Sequence, residues 1–305
     1  MNNVVKELFH KVADIQGAPA GAFNLRVNGR SIGRENSANV SIVPKKDGQG
    51  FDMYIKPGAR DEKIHIPVVL DGDGITDVVS NDFHVGEGCD IVIVAGCGIH
   101  NSGCGQSRHD GIHSFYLGKN SRVVYKEIHL GQGNAEAQRV LNPVTNIHLD
   151  EGAHFEMESV QLEGVDSTHR VTRGELGTES HLTVTEKLLT DGSQWAKTEF
   201  DLDINGPGAK ARLVSRSVAK GRSYQEFLSK ITGNADCTGH SECDAIIMDS
   251  AVVKAIPEIT AAHVDASLIH EAAIGKIAGE QLVKLMTLGL DAEEAEAHII
   301  NGFLS

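Results

Sequence analysis

Three strings in this chain follow one template: Val85-Gly-Glu-Gly-Cys-Asp-Ile-Val-Ile93, Leu117-Gly-Lys-Asn-Ser-Arg-Val-Val-Tyr125 and Leu149-Asp-Glu-Gly-Ala-His-Phe-Glu-Met157. Each reads apolar, small or polar, charged, Gly or Asn, small, polar, then an alternating run. Their small residues, Cys89, Ser121 and Ala153, lie 32 positions apart. Looser copies start at Leu176 and Ile204. Gly or Asn tolerates the positive φ of a tight corner, and a small residue after it lets a further layer stack closely. A corner recurring at near-constant spacing between strands predicts a solenoid, in which each turn buries its apolar face against its neighbours. A β-sandwich also has short, turn-rich strands, but a regular 32-residue recurrence fits a parallel β-helix better.

The strands themselves are read from period-two alternation closed by Gly, Asn or Asp, as in Val40–Val43, Asp52–Ile55, Ile64–Leu70, Ile91–Val94 and Val123–Tyr125. This pattern occupies residues 22–270. Before it, Val4, Val5, Leu8, Phe9 and Val12 have helical spacing, so residues 1–21 form an N-terminal helical segment. Residues 271–305 form a C-terminal one. There Ile274, Ile277, Leu282, Leu285, Met286 and Leu288 predict a helix ended by Gly289, and Asp291 with Glu294 predicts a capping box opening a second helix. Solenoid ends need covering, so both helical segments have a capping role.

Composition narrows the function. A formal net charge of −14 repels phosphate backbones and argues against nucleic acid as a partner. No apolar run is long enough for a transmembrane helix, and the N-terminus lacks a secretory pattern, so no membrane role and a cytoplasmic location are expected. Five cysteines in such a chain read as reduced thiols, some of them available to a metal. There is no Walker A string, no Gly-x-Ser-x-Gly elbow and no His-Glu-x-x-His. The acid pairs Asp71/Asp73 and Asp201/Asp203 are what a β-helix carbohydrate enzyme would use, although solvated turn acids account for them far better.

Two clusters can carry metal chemistry. Cys97, His100, Cys104, His109 and His113 place two thiols and three imidazoles within 17 residues, at a spacing that fits no zinc knuckle. Cys237, His240, Glu242, Cys243 and Asp244 are followed about one turn later by His263, Asp265, His270 and Glu271. Adjacent turns stack about 4.8 Å apart, so a thiolate, an imidazole and a carboxylate from this second cluster can meet at iron. The plainer reading makes Cys243 a small core residue and His270-Glu271 a solvated junction.

The second cluster belongs to a longer series: Glu242-Cys243-Asp244-Ala-Ile-Ile-Met248, Pro257-Glu-Ile259, Leu268-Ile-His270-Glu271-Ala-Ala-Ile-Gly-Lys-Ile277, Gln281-Leu282, Gly289-Leu290, Glu293-Glu-Ala295 and Ile299-Ile-Asn-Gly-Phe303. In order and spacing this resembles the SufB/SufD family of iron–sulfur cluster assembly proteins. The resemblance implies a mainly β fold, a right-handed parallel β-helix with helical flanks. It also implies a scaffold rather than an enzyme, holding a transient iron–sulfur cluster and passing it to apo iron–sulfur proteins. Its partners would be a SufC-type ABC ATPase docked on the C-terminal helices and a second subunit at the last turns, as a homodimer or a SufB/SufD-type heterodimer. Carried over by position, Cys243 matches a cluster-ligand cysteine, Glu271 a carboxylate implicated in cluster formation, and His270 the histidine beside it. Asp150 stands where SufB has a persulfide-accepting cysteine, and the chain is shorter than usual SufB. The missing cysteine at position 150 leaves open a SufD-like role, in which the chain binds the ATPase without ligating a cluster. The cluster from Cys97 to His113 lies outside the SufB pattern.

Overall fold

The computed structural model describes residues 1–305. Its elements run α1 (Asn3–Ala13), β1 (Phe23–Val27), β2 (Arg30–Glu35), β3 (Val40–Pro44), β4 (Gly50–Ile55), β5 (Arg60–Asp71), β6 (Thr76–Val85), β7 (Asp90–Asn101), β8 (Gln106–Leu117), β9 (Arg122–Gly133), β10 (Gln138–Leu141), β11 (Val144–Leu149) and β12 (His154–Glu163). They continue with β13 (Ser167–Leu176), β14 (His181–Thr190), β15 (Trp195–Ile204), β16 (Lys210–Ala219), β17 (Tyr224–Gly233), β18 (Thr238–Ile247), β19 (Val252–Ala261), β20 (Ser267–Gly275), α2 (Gly279–Met286) and α3 (Ala292–Leu304). From β5 onward the chain alternates between two sheets, each turn adding one parallel rung to each. This is the parallel β-solenoid that the recurrence predicts. The first sheet runs β2-β1-β5-β7-β9-β12-β14-β16-β18-β20, and the second runs from β3 at one edge to β19 at the other. Only the hairpins at the start, β1 with β2 and β3 with β4, pair antiparallel.

The corners behave as the template requires. Gly88, Asn120 and Gly152 take φ of 66°, 54° and 65°, and Cys89, Ser121 and Ala153 behind them are buried. Later turns keep the device with other residues: Glu179 (φ 53°) precedes buried Ser180, and Gly208 (φ 73°) precedes buried Ala209. Between the sheets lies an apolar core that includes a stack through Phe83, Phe115 and Phe155, with Phe83 and Phe115 centroids 4.3 Å apart.

The two ends are finished differently. Helix α1 starts with Asn2 accepting from the Val5 amide. It lays Leu8, Phe9 and Val12 on the outer face of the first sheet, against Val69, Val94 and Leu130. At the other end α3 opens with the Asp291/Glu294 capping box and packs Ile300 and Leu304 on Val218, while α2 buries no residue. One boundary differs from the sequence reading: Ile274 is in β20, not in a helix, because β18 offers a free edge and pairing continues as far as Ile246 with Gly275. Helix α2 begins at Gly279, after Ile277 as well, and Gly289 just beyond it has φ 101°. No helix is long and apolar enough to cross a membrane.

Candidate functional site

Strand alternation decides which side chains enter the solenoid. In the first sheet one inward row reads Ala95, Glu127, Ser159, Glu186, Ser215, Cys243 and Ala272 in successive rungs. The row beside it ends in Leu213, Ser241 and His270. Cys243 and His270 therefore share the inner face, at neighbouring positions of the last two rungs. Glu271, adjacent to His270 in sequence, points to the outer face, where it pairs in register with Glu242. The structure thus joins two of the three residues of the C-terminal cluster and turns the third away.

Their environments differ accordingly. Cys243 is 1% exposed, and its thiol is pushed up to about 12 by burial, then by the carboxylates of Glu186 and Asp244. At neutral pH it is a protonated thiol, and it becomes a thiolate only when a cation displaces the proton. His270 is held below its ordinary value by burial, then by the charge of His240, and neither of its shielded ring nitrogens has a hydrogen-bond partner. A shielded imidazole with both nitrogens unpaired is costly, so a ligand or a further packing partner would stabilise it. On the outer face Glu271 Oε2 lies 3.5 Å from His240 Nε2. Asp244 beside them is raised by burial, then by the charge of Glu242. His263 and Asp265 sit apart, in the exposed turn before β20.

The cluster nearer the N-terminus divides differently. His100 Nδ1 contacts Asp71 Oδ1 at 2.8 Å, and Cys104 is exposed in the turn between β7 and β8. Cys97, His109 and His113 point inward and line one small cavity together with Glu127 and His129. The last two were not singled out in the sequence, nor was the network they belong to. Asn81 Nδ2 donates to His113 Nε2 (3.2 Å), which leaves His113 Nδ1–H to donate to Tyr125 Oη (2.8 Å). Tyr125 donates to Glu127 (2.9 Å), which also accepts from Arg170 (2.7 Å). Arg170 Nη2 lies 3.0 Å from His129 Nδ1. A guanidinium can only donate, so that nitrogen accepts and the ring is neutral. Arg170 Nε reaches Glu186 at 3.3 Å, and Thr198 and Ser215 donate to the same carboxylate. A sequence signal existed: Tyr125, Glu127 and His129 continue the inward parity set by Val123, so three polar residues occupy core positions.

Nowhere do three or more His, Cys, Asp or Glu side chains converge as a ready metal-ion site. The acid pairs suggestive of carbohydrate chemistry are engaged elsewhere: Asp71 with His100, Asp73 with the Gly105 amide, and Asp201 with Lys230. Asp150 lies exposed at a corner, its amide bonded to the Leu117 carbonyl.

Comparison with known proteins bears on this geometry. Residues 70–303 match the family model described as SUF system FeS cluster assembly, SufBD core domain. An iron-sulfur cluster assembly SufBD family protein of Methanothermobacter thermautotrophicus is 27% identical over 263 residues, covering 84% of this chain and 62% of that protein. One from Archaeoglobus fulgidus is 27% identical over 271 residues, covering 86% and 70%. One from Methanocaldococcus jannaschii is 25% identical over 253 residues, covering 79% and 76%. The chain therefore spans about three fifths of the length of the Methanothermobacter relative.

Proposed function

The chain belongs to the SufBD family of iron–sulfur cluster assembly proteins, and from that membership we propose that it is a scaffold subunit whose chemistry sits at the open, C-terminal end of the solenoid. The observation that carries this reading is His270. It sits on the inner face of the last rung, beside buried Cys243, with both ring nitrogens unpaired. The iron–sulfur cluster is cargo here. Cys243 supplies a soft thiolate once its proton is displaced, His270 an imidazole nitrogen, and Glu271 a labile oxygen ligand. Since Glu271 faces outward, it joins the other two only if the terminal strand moves or if a second subunit presents donors across the edge.

The edges support a second subunit. β19 and β20 end their sheets, and each leaves a row of backbone donors and acceptors without a strand partner. A homodimer built there brings two copies of Cys243, His270 and Glu271 together. A SufC-type ATPase is proposed to dock on α2, α3 and the turn between them, where Val283, Met286 and Leu288 are 60%, 45% and 76% exposed. A cluster so assembled would pass to apo iron–sulfur proteins.

Asp150 favours a second reading, a SufD-like subunit that binds the ATPase and ligates nothing, because no thiol stands at that corner. Anaerobic reconstitution with iron and sulfide, followed by absorbance and metal analysis, separates the two. The scaffold reading expects cluster on the wild type, alone or with its ATPase, and its loss in Cys243→Ala and His270→Ala. Full loading of both variants would refute the site, and no cluster under any condition would leave the SufD-like role.

A further inference from the structure

The interior network around Glu127 sets two buried carboxylates against one guanidinium. Arg170 lies between two buried carboxylates, Glu127 and Glu186. The hydrogen-bond directions make His113 and His129 neutral, since their ring nitrogens accept from Asn81 and Arg170. Arg26 and Asp77 form their own pair at 2.7 Å, so neither charge is left over. A buried charge without compensation is costly in a low-dielectric interior. Beside this network is a cavity of about 10 Å³, room for one water-sized body.

The donors that face the cavity are of one chemical kind. Cys97 is 1% exposed and in register with His129 on the next rung. His109 Nδ1 lies 3.2 Å from Asp77 Oδ2, and its Nε2 faces the space above Gly111. Gly111, between His109 and His113 on β8, leaves the space open. A methyl there would lie 3.2 Å from His109 Nε2 and 3.7 Å from His113 Nε2.

We propose that this cavity binds one soft divalent transition-metal ion, with Cys97 Sγ and His109 Nε2 as its protein donors and Glu127 as the balancing carboxylate. The charge closes: the ion brings two positive charges, the Cys97 S–H bond breaks and releases one proton to solvent, and the net gain of one offsets the surplus carboxylate. The donors surround the cavity rather than converge on a point, so Cys97 and His109 turn toward the ion as it binds. This site is distinct from the C-terminal cluster and does not depend on the reading of that cluster.

Cobalt(II) is the probe, because a thiolate–cobalt bond gives a charge-transfer band. The full chain is titrated anaerobically, and in parallel produced in cobalt-supplemented medium, so that the ion is present as the solenoid closes. About one cobalt per chain with the thiolate band is expected, unchanged in Cys243→Ala and lost in Cys97→Ser. Gly111→Ala fills the cavity while keeping both donors, and its cobalt affinity is expected to fall by roughly tenfold or more, with unchanged circular dichroism showing that it folds. A band that survives Cys97→Ser, or no band under either loading, overturns the proposal.

Discussion

The interior network around Glu127 and the last two turns of this solenoid leave their polar side chains in different states. In the half nearer the N-terminus, hairpins close the first rungs, α1 covers the outer face, and Asn81, His113, Tyr125, Glu127, Arg170 and Glu186 form a directed chain of hydrogen bonds and ion pairs. In the last two turns the edges are open, α2 covers nothing, and His270 keeps two unpaired nitrogens. A closed network contributes stability and resists change, whereas an open one leaves donors free for a partner or cargo. Unpartnered polar atoms also occur singly in earlier turns, at His65, His109, Ser159, Gln161 and Thr172, but His270 is the residue with both ring nitrogens shielded and unpaired.

The largest expected effect breaks the closed half. Arg170→Met leaves Glu127 and Glu186 buried without their shared cation and should cost roughly 3–5 kcal/mol, read as a lower denaturant midpoint at constant slope. A cost below about 1 kcal/mol would mean that the network is not a closed unit.

Acid should act on the same half. Burial holds His113 down to about 4 in the fold, against 6.5 when unfolded. The unfolded ring therefore takes up its proton first, so the stability linked to His113 is full above pH 6.5 and falls as pH drops toward 4, by roughly 3 kcal/mol in all. Asp77 extends the loss. Burial alone would raise its carboxyl, but the hydrogen bonds and charges of His109 and Arg26 hold it at about 2. Its contribution is present above the unfolded value of 3.8 and disappears as pH falls toward 2. Urea titrations across this range should show His113→Asn with a flatter profile between pH 6.5 and 4. A profile as steep as wild type would remove His113 from the account.

The smallest stability effects belong to the open end. Cys243→Ala should cost about 1 kcal/mol, and Leu288→Gln, at a position 76% exposed, should stay within about 0.5 kcal/mol. If Cys243→Ala unfolded the chain, the thiol would be a packing residue and the contrast between the halves would weaken. Co-purification of Leu288→Gln with the ATPase tests the proposed dock separately.

Much of the frame was legible because a corner makes a local demand. Gly88, Asn120 and Gly152 must take positive φ, and the residue behind each must be small, so the requirement is written at fixed spacing. The template blurs where later turns shorten and Glu179 takes the corner position. The site was harder to read. Alternation shows that His270 and Glu271 face opposite ways only once β20 is recognised as a strand, and Ile274 and Ile277 suggested a helix soon after it. Whether Cys243 shares a face with His270 depends on the register across a turn. Glu127 on β9 and Arg170 on β13 are 43 positions apart on opposite sheets and meet across the interior after about one and a half turns. The division of Cys97, His109 and His113 from His100 and Cys104 also follows from which strand positions point inward.

Hydrogen exchange on the iron- and sulfide-loaded chain compared with the unloaded chain tests most directly whether the open end is the working end. The account predicts that loading slows exchange in Val252–Ala261 and Ser267–Gly275 and leaves Asp90–Gly133 unchanged. Protection confined to Asp90–Gly133, with the last two strands exchanging as before, would contradict it.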